Sequence, residues 1–368
     1  MFVLFSLHGG RKDLKIGLEL TKYPTVRRAI LYERLRGNKV RCLVCERRCV
    51  IPEGGFGFCR TRVNIDGDLY TVVYGNLSAI ESRPIEIKPF FHFWPGSTAI
   101  TFSTWSCNFT CPWCQNWSLS KCAPPIPGNY VPPEKVVEEA IRNGDEGTCV
   151  SFNEPTLLFE YSLDVFKLAR ERGLYNTYVS NGYMTEDALK MLRNTGLDAI
   201  NIDVKGTKEQ VLKYCGADVD KVWRNARLAK EMGLHVEIIV LVVTGVNDDE
   251  NSIREIIERH LKEVGPYTPI HFNRYYPAYE YHEPPTRIEV LDFAYRLARR
   301  EGIAYVYVGN VPGHPGEHTY CPNCGELLIK RWHYTIVKYR LTEGKRCPRC
   351  GTEIHIVGKY VNKARLLV

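Results

Sequence analysis

The stretch Cys107-Asn108-Phe109-Thr110-Cys111-Pro112-Trp113-Cys114-Gln115-Asn116-Trp117 places three cysteines in one short segment, with the spacing C-x3-C-x2-C. Proline and asparagine within it are typical of an irregular loop rather than of a helix or strand. A [4Fe-4S] cluster is normally bound by four cysteine thiolates. Three thiolates in one loop therefore predict a cluster with one iron that has no protein ligand, and Trp113 is predicted to shield this cluster from water.

A zinc knuckle with a borrowed fourth ligand is the alternative interpretation of this loop. Structural zinc sites are closed by four protein ligands. Cys122 follows Cys114 by eight residues, so the spacing alone leaves this alternative open. The two interpretations differ in whether the metal needs Cys122.

The composition is that of a globular protein with a sizeable core, since 44% of the 368 residues are hydrophobic and 25% are charged. The net charge of +7 is modest, and no run of lysine and arginine is long enough to predict a nucleic-acid-binding arm. Residues 1–8 are apolar but lack the features of a secretory signal, and no stretch reaches the ~18 apolar residues of a membrane span. We therefore expect a cytoplasmic protein without a membrane partner.

Eleven of the 14 cysteines fall into three compact groups, which favours metal sites in a reducing compartment over disulfides. The first group lies in a glycine-containing segment with too few apolar residues for a core, and it consists of Cys42, Cys45, Cys49 and Cys59. This density predicts a closed site that holds zinc or a second iron–sulfur cluster, and the sequence leaves both open. The ungrouped cysteines are interpreted as small buried apolar side chains: Cys122, Cys149 and Cys215.

The last group is a duplicated Cys-Pro-x-Cys-Gly motif, formed by Cys321, Cys324, Cys347 and Cys350. Each glycine allows the backbone to turn its N–H groups onto the sulfurs, and two such turns complete a tetrahedral site of four thiolates. The motif therefore predicts a structural zinc ribbon. Few basic residues surround it, so the sequence does not favour a nucleic-acid partner.

The segment before the three-cysteine loop contains two predicted local elements. Residues 27–36 have a helical pattern. Asp66-Gly67-Asp68, between the strand-like runs 62–65 and 69–74, predicts a hairpin turn. We expect this N-terminal module to end near Gly96.

Residues 98–308 alternate short β-branched runs with helical patterns, which predicts repeated βα units. The predicted strands are 98–103, 148–152, 176–180, 198–204, 235–243, 269–273 and 303–308. The predicted helices are 133–143, 157–172, 186–193, 249–263 and 287–300. Six or more units of this kind form a full or partial (β/α) barrel, an α/β fold whose active sites lie at the C-terminal ends of the strands. The three-cysteine loop follows the first strand and is therefore predicted at this mouth.

Polar residues follow several later strands and are expected at the same mouth: Asn153, Glu154, Ser180, Asn181, Asp203, Lys205 and Asn247. Each has a structural alternative. Glu154 and Asn247 suit helix caps, Asn181 suits a turn, and Asp203 with Lys205 suits a buried ion pair. Arg274 and Tyr275, at the end of the sixth strand, are further candidates for contacts with a substrate or cofactor.

The C-x3-C-x2-C spacing, with an aromatic residue before the third cysteine, resembles the signature of the radical S-adenosylmethionine (SAM) enzymes. The resemblance implies that the amine and carboxylate of SAM chelate the open iron. It further implies that the reduced cluster cleaves SAM to a 5′-deoxyadenosyl radical, which abstracts hydrogen from a substrate. Within this superfamily the chain is similar to the radical SAM component of the AmmeMemoRadiSam system, whose members are relatives of pyruvate formate-lyase activating enzyme.

The resemblance also implies roles for the residues at the mouth. Asn153-Glu154-Pro155 occupies the place of a Gly-Gly-Glu-Pro motif that cradles the methionyl amine, although Asn153 replaces a glycine. Ser180 and Asn181 are implied to line the methionyl or ribose region, and the Asp203-x-Lys205 motif to contact SAM. Asn247 is implied to lie near the adenosine.

The sequence therefore predicts three regions: 1–96 with the four-cysteine module, 97–316 as the radical SAM barrel, and 317–368 as the zinc ribbon. The catalytic cluster is assigned to Cys107, Cys111 and Cys114. A ferredoxin or flavodoxin is the expected electron donor, and a protein is one option for the substrate. The alternatives are a glycyl-radical enzyme activase and a non-catalytic protein that binds several metals and acts on RNA.

Overall fold

The computed structural model describes residues 19–363. Its N-terminal part contains six short strands in two antiparallel sheets. The strands are β1 (Arg27–Arg28), β2 (Tyr32–Leu35), β3 (Lys39–Cys42), β4 (Val50–Ile51), β5 (Arg62–Ile65) and β6 (Asp68–Thr71). One sheet has the order β2-β3-β4 and the other the order β1-β6-β5. The apolar residues 1–8 lie outside the described part of the chain.

The predicted helix at 27–36 is wrong, because this segment forms β1, β2 and the turn after them. β2 pairs with β3 as a hairpin, in which Leu35 lies opposite Lys39. Gly37 and Asn38 in the connection have φ values of +73° and +54°, a left-handed backbone that hairpin turns use and helices do not. The predicted hairpin between β5 and β6 is confirmed, with Ile65 opposite Asp68.

The central sheet has eight strands, and seven of them, β8 to β14, run parallel in chain order. The strands are β7 (Ala79–Pro84), β8 (Thr98–Ser103), β9 (Gly147–Val150), β10 (Tyr175–Ser180), β11 (Ala199–Val204), β12 (His235–Val242), β13 (Ile270–Arg274) and β14 (Val306–Gly309). All seven predicted strands are present. Within the described residues β7 and β14 are the two edges of the sheet, so the barrel is partial.

β7 lies inside the region predicted as the N-terminal module, yet it pairs antiparallel with β8 from Ala79 opposite Ser103 to Pro84 opposite Thr98. The segment before the cluster loop therefore contributes an edge strand to the barrel sheet. The division of the chain into three regions stays a prediction.

Helices connect the parallel strands and pack against them. They are α1 (Trp117–Ser120), α2 (Pro133–Asn143), α3 (Phe159–Glu171), α4 (Glu186–Thr195), α5 (Lys208–Gln210), α6 (Val219–Glu231), α7 (Glu250–Glu263) and α8 (Ile288–Arg300). In α8 the buried residues are Leu291, Ala294, Leu297 and Ala298, an i, i+3, i+6, i+7 pattern that gives one face to the sheet. The five predicted helices are present, whereas the short helices α1 and α5 and the longer helix α6 were not predicted.

The C-terminal segment covers the end of the barrel opposite the three-cysteine loop. It forms a three-stranded sheet of β15 (Thr319–Tyr320), β16 (Leu327–Trp332) and β17 (Thr335–Tyr339). Arg331 of β16 is fully buried and donates to Thr319 Oγ1 at 2.8 Å, and Thr319 Oγ1 lies 2.8 Å from Tyr307 Oη of β14. The segment is therefore joined to the barrel by buried polar contacts.

A buried carboxylate lies beneath this contact. Glu237 binds His235 Nε2 at 2.9 Å and His271 Nε2 at 2.7 Å, and it accepts from the backbone N–H of His92 at 2.8 Å. Burial alone would raise the pKa of Glu237, but the hydrogen bonds from the two histidines hold it well below its usual range. This network closes the end of the barrel opposite the three-cysteine loop, and its carboxylate stays ionised.

We expect the protein to lose stability in mild acid because of its buried histidines. Burial lowers the pKa of His92 and of His260 to about 3, so both rings are neutral in the folded protein. The unfolded chain binds these protons near pH 6.5, so stability is complete above that pH and falls as the pH drops towards 3. At pH 5 each ring contributes a loss of about 2 kcal/mol.

Urea unfolding at pH 7.5 and pH 5.0 checks this expectation. A His260→Gln variant should show a smaller difference between the two pH values than the wild-type chain, because it lacks one of the buried histidines that take up a proton on unfolding. An identical difference in both proteins would contradict the assignment to His260.

Candidate active site

The three-cysteine loop connects β8 to α1 at the C-terminal end of the parallel strands, as predicted. Neighbouring segments hold it at several points. Ser106 N donates to Leu119 O at 2.9 Å, and Thr110 N donates to Cys215 O at 3.2 Å. Asn153 Nδ2, beyond the end of β9, donates to Ser106 O at 2.7 Å. The loop is therefore anchored to the mouth before any ligand binds.

The three sulfurs of this loop each have a different neighbour. Cys107 Sγ accepts from Phe109 N at 3.4 Å, Cys114 Sγ lies 3.0 Å from Ser120 Oγ, and Cys111 Sγ lies 3.3 Å from Cys215 Sγ. In residues 19–363 these three sulfurs do not meet within 4.8 Å of one another. They are therefore not gathered as closely as one metal ion would hold them.

A lysine ammonium lies near Cys111. The Lys205 Nζ and Asp203 Oδ2 atoms are 2.8 Å apart, and both side chains are mostly buried. The hydrogen bond with Cys215 and the charge of Lys205 lower the pKa of Cys111 to about 7. Burial, reinforced by the Glu154 carboxylate, raises the pKa of Cys107. The ion pair foreseen for Asp203 and Lys205 is present, and it lies at the mouth.

Buried N–H groups of the same loop have no hydrogen-bond partner among the described residues. They are Trp105 Nε1, Asn108 Nδ2 and Trp113 Nε1. Trp113 is buried against Tyr214 and Tyr281, with ring centroids 5.4 and 5.7 Å away. Cluster sulfurs accept hydrogen bonds, which tune iron–sulfur centres. One loop that carries three soft thiols and three unpartnered donors therefore fits an iron–sulfur group.

Glu154 organises the next part of the mouth. Its Oε1 atom accepts from Ser180 Oγ at 2.8 Å and from Thr156 N at 3.0 Å, and its Oε2 atom accepts from Asn181 N at 2.9 Å. Asn181 Nδ2 then donates to Asn108 Oδ1 of the cluster loop at 2.7 Å. Burial raises the pKa of Glu154, although these hydrogen bonds oppose the shift. One carboxylate thus joins the ends of β9 and β10 to the loop.

The remaining predicted residues have mostly local partners. Asn247 Oδ1 accepts from Val243 N at 2.6 Å, and its Nδ2 donates to Leu241 O at 3.0 Å, so its amide closes its own turn. Asp249, not Asn247, caps α7. Arg274 and Tyr275 both bond to Thr286. Contacts from these residues to a ligand stay predictions.

Two features of the mouth were not predicted. Cys215 was interpreted as a buried apolar side chain; it is buried, as is Cys149, but its sulfur contacts Cys111. The sequence signal that could have placed Cys215 at the mouth is its position after the strand that carries Asp203. The loop after β13 also covers the cysteine loop, since Glu280 N donates to Pro112 O at 3.0 Å. The expectation that Cys122 is buried is wrong, because this residue is exposed.

The C-terminal cysteines form a compact four-thiol site. Their sulfurs all lie within 4.8 Å of one another, with Cys321 Sγ 3.5 Å from Cys350 Sγ and Cys324 Sγ 3.6 Å from Cys347 Sγ. Tetrahedral zinc with bonds of about 2.3 Å separates neighbouring sulfurs by about 3.8 Å. The predicted grouping of these four cysteines into a metal site is confirmed, and zinc is compatible with its size.

Comparison with known proteins agrees with this site. Residues 103–258 match the model of the Radical SAM superfamily, and the fold is the partial parallel α/β sheet described above. The chain contains a radical SAM domain, which indicates an enzyme of the class that uses SAM and an iron–sulfur cluster. In particular, it belongs to the same family as the "Uncharacterized protein MJ0808" of Methanocaldococcus jannaschii, which is 44% identical over 335 residues, 90% of this chain and 100% of that protein.

More distant similarities cover parts of the chain. A "Probable GTP 3',8-cyclase" of Methanosarcina mazei is 29% identical over 160 residues, which are 41% of this chain and 47% of that protein. A solved domain of a pyruvate-formate lyase-activating enzyme from Bacteroides vulgatus aligns with a TM-score of 0.39 and 19% identity, over 45% of this chain and 99% of that domain. Among the described residues, no helix is both long and apolar enough to cross a membrane.

Proposed function

We propose that Cys107, Cys111 and Cys114 bind the [4Fe-4S] cluster and that SAM binds beside them at the mouth of the barrel. The observation that carries this proposal is the loop itself, with three separated thiols and the unpartnered N–H groups of Asn108 and Trp113. When bound, the reduced cluster supplies the electron that cleaves SAM to a 5′-deoxyadenosyl radical, which then abstracts a hydrogen atom from the substrate.

The surrounding residues of the chain orient SAM and exclude water. The Lys205 ammonium, held by Asp203 near Cys111, is available for the carboxylate of SAM. Glu154 positions Ser180 and Asn181 along the methionyl region, and Asn153 fixes the start of the loop. Trp113 and Tyr281 cover the cluster with apolar rings. Asn247 supports the backbone near the adenosine.

The finer assignment follows the resemblance of the motifs. We assign the chain to the radical SAM components of the AmmeMemoRadiSam system, with a protein as one option for the substrate and a ferredoxin or flavodoxin as the electron donor. Zinc is the proposed metal of the C-terminal site, on the size of its thiol group. The grouped free cysteines support a cytoplasmic location.

Turnover of SAM tests the proposed function. Protein reconstituted anaerobically with iron and sulfide and reduced with dithionite is expected to convert SAM to 5′-deoxyadenosine and methionine in equal amounts, as measured by chromatography with mass detection. Protein that was not reconstituted serves as the control. A preparation that contains about four irons per chain at this loop but forms no 5′-deoxyadenosine would contradict the proposal.

The same assay identifies the substrate. Candidate substrates are added in deuterated form, and the nucleoside product is examined for deuterium. Transfer of the label into 5′-deoxyadenosine marks the molecule from which hydrogen is abstracted.

A further inference from the structure

The four N-terminal cysteines surround one cavity, which is also lined by Arg47, Arg62 and Asn108. The cysteines are Cys42, Cys45, Cys49 and Cys59. Cys42 is buried and the others are half-buried, so the cavity is largely closed to solvent. Phe58 N points at Cys49 Sγ at 3.5 Å, a donor of the kind that stabilises a metal-bound thiolate. The four thiols therefore form one site rather than four separate side chains.

The spacing of these thiols differs from that of the C-terminal site. In the described chain, only the C-terminal cysteines bring three or more sulfurs within 4.8 Å of one another. Neither the N-terminal set nor the set on the cluster loop does so. A single zinc ion needs sulfurs about 3.8 Å apart, whereas a cubane binds each thiolate through a different iron and separates them further. In neither the N-terminal set nor the cluster loop are three sulfurs therefore gathered as closely as a single zinc ion would hold them.

The N-terminal site also touches the cluster loop. Asn108, the residue directly after Cys107, lines the N-terminal cavity. Arg47, between Cys45 and Cys49, donates from Nε to Asn108 O at 2.5 Å and from Nη2 to Cys215 O at 3.5 Å. Asn108 therefore lines the N-terminal cavity and is the chain neighbour of the proposed cluster ligand Cys107.

The module is held firmly in this position. Glu46 N donates to Tyr183 O and Thr185 N donates to Val44 O, so the N-terminal loop is bonded to the segment after β10. On the other side Arg62 forms a buried ion pair of 2.6 Å with Glu160 of α3. At the outer end, the Phe58 ring is 48% exposed and lies 3.6 Å below the Arg47 guanidinium. The site is therefore reachable from solvent on one side and joined to the cluster loop on the other.

We propose that Cys42, Cys45, Cys49 and Cys59 bind a second iron–sulfur cluster, which passes electrons to the cluster on the 107–114 loop. A one-electron carrier of the ferredoxin or flavodoxin class is oxidised as it reduces the N-terminal cluster. This cluster is reoxidised as it reduces the loop cluster, and no proton or atom is transferred. The relay rests on the proposed function, whereas the second cluster does not.

Metal analysis tests the second cluster. Wild-type protein, reconstituted anaerobically, is expected to contain about eight irons per chain. The Cys107→Ala, Cys111→Ala, Cys114→Ala variant should retain about four of them, together with the absorption and the reduced-state paramagnetic resonance of a cluster. If this variant retains no iron and the protein carries two zinc ions per chain, the second cluster is excluded.

Electron transfer is tested with two reductants. Arg47→Gln leaves all four thiols in place but removes the guanidinium that contacts Asn108. We expect the rate of SAM cleavage driven by reduced flavodoxin, divided by the rate driven by dithionite, to fall at least tenfold in this variant. An unchanged ratio would overturn the relay. If wild-type protein keeps both clusters but fails to cleave SAM with dithionite, the proposed function fails while the second cluster stands.

Discussion

Replacement of Cys107, Cys111 and Cys114 together by alanine is expected to abolish SAM cleavage. The loop would lose all three proposed iron ligands, and no other group at the mouth supplies an electron, so the rate should fall at least about 1,000-fold. The formation of 5′-deoxyadenosine, measured with dithionite as reductant, checks the result. Because the loop is anchored through Ser106 and Thr110, the fold should survive the substitutions.

Cys122 provides the matched control for this variant. It is exposed, and it is the residue that a zinc knuckle would recruit as its fourth ligand. If the three-ligand interpretation is correct, Cys122→Ala keeps its iron and its cleavage rate. If Cys122→Ala lost both its iron and its cleavage activity, the result would contradict the open cluster and favour a closed site with four cysteine ligands.

Glu154→Gln is expected to weaken SAM binding at the mouth strongly. The carboxylate accepts hydrogen bonds from Ser180, Thr156 and Asn181, and an amide nitrogen in place of either oxygen would face a donor. Loss of a charged acceptor in a buried network costs about 2–3 kcal/mol, so the Kd for SAM should rise between about 5-fold and 150-fold if half or more of that cost falls on the bound state. Equilibrium dialysis of labelled SAM against reconstituted protein measures this change.

Glu86→Gln separates a binding effect from general destabilisation. Glu86 is also a fully buried carboxylate and accepts from Gly96 N at 2.8 Å, but it lies near Arg331, far from the cysteine loop along the barrel. This variant should bind SAM with the wild-type Kd. If Glu154→Gln also binds SAM like the wild-type chain, then Glu154 is structural and does not position the ligand.

The sequence predicted the barrel well because its signals are local. Runs such as Thr98–Ser103 and Tyr175–Ser180 are β-branched or aromatic and end at polar loops, so each strand could be recognised from its own residues. The parallel order then followed from the helices between them. The position of the cysteine loop required only the rule that active sites lie at the C-terminal ends of such strands.

The contacts that connect distant segments could not be predicted in the same way. The approach of Cys215 to Cys111 joins residues 104 positions apart, and the bond from Arg47 to Asn108 spans 61 positions. Neither leaves a periodic pattern in the sequence. The wrong helix at 27–36 has a different cause, since its arginine and leucine content outweighed the turn residues Gly37 and Asn38.

The buried position of Arg331 at the end of the barrel links the unfolding of the C-terminal segment to that of the barrel. Its guanidinium donates to Phe91 O and Thr319 Oγ1, which lie far apart in the sequence. Removal of residues after 317 would open a hydrated hole next to the ionised Glu237 and its histidines. The C-terminal segment and the barrel should therefore unfold in a single cooperative transition. A barrel truncated after residue 317 should be less stable than the whole chain.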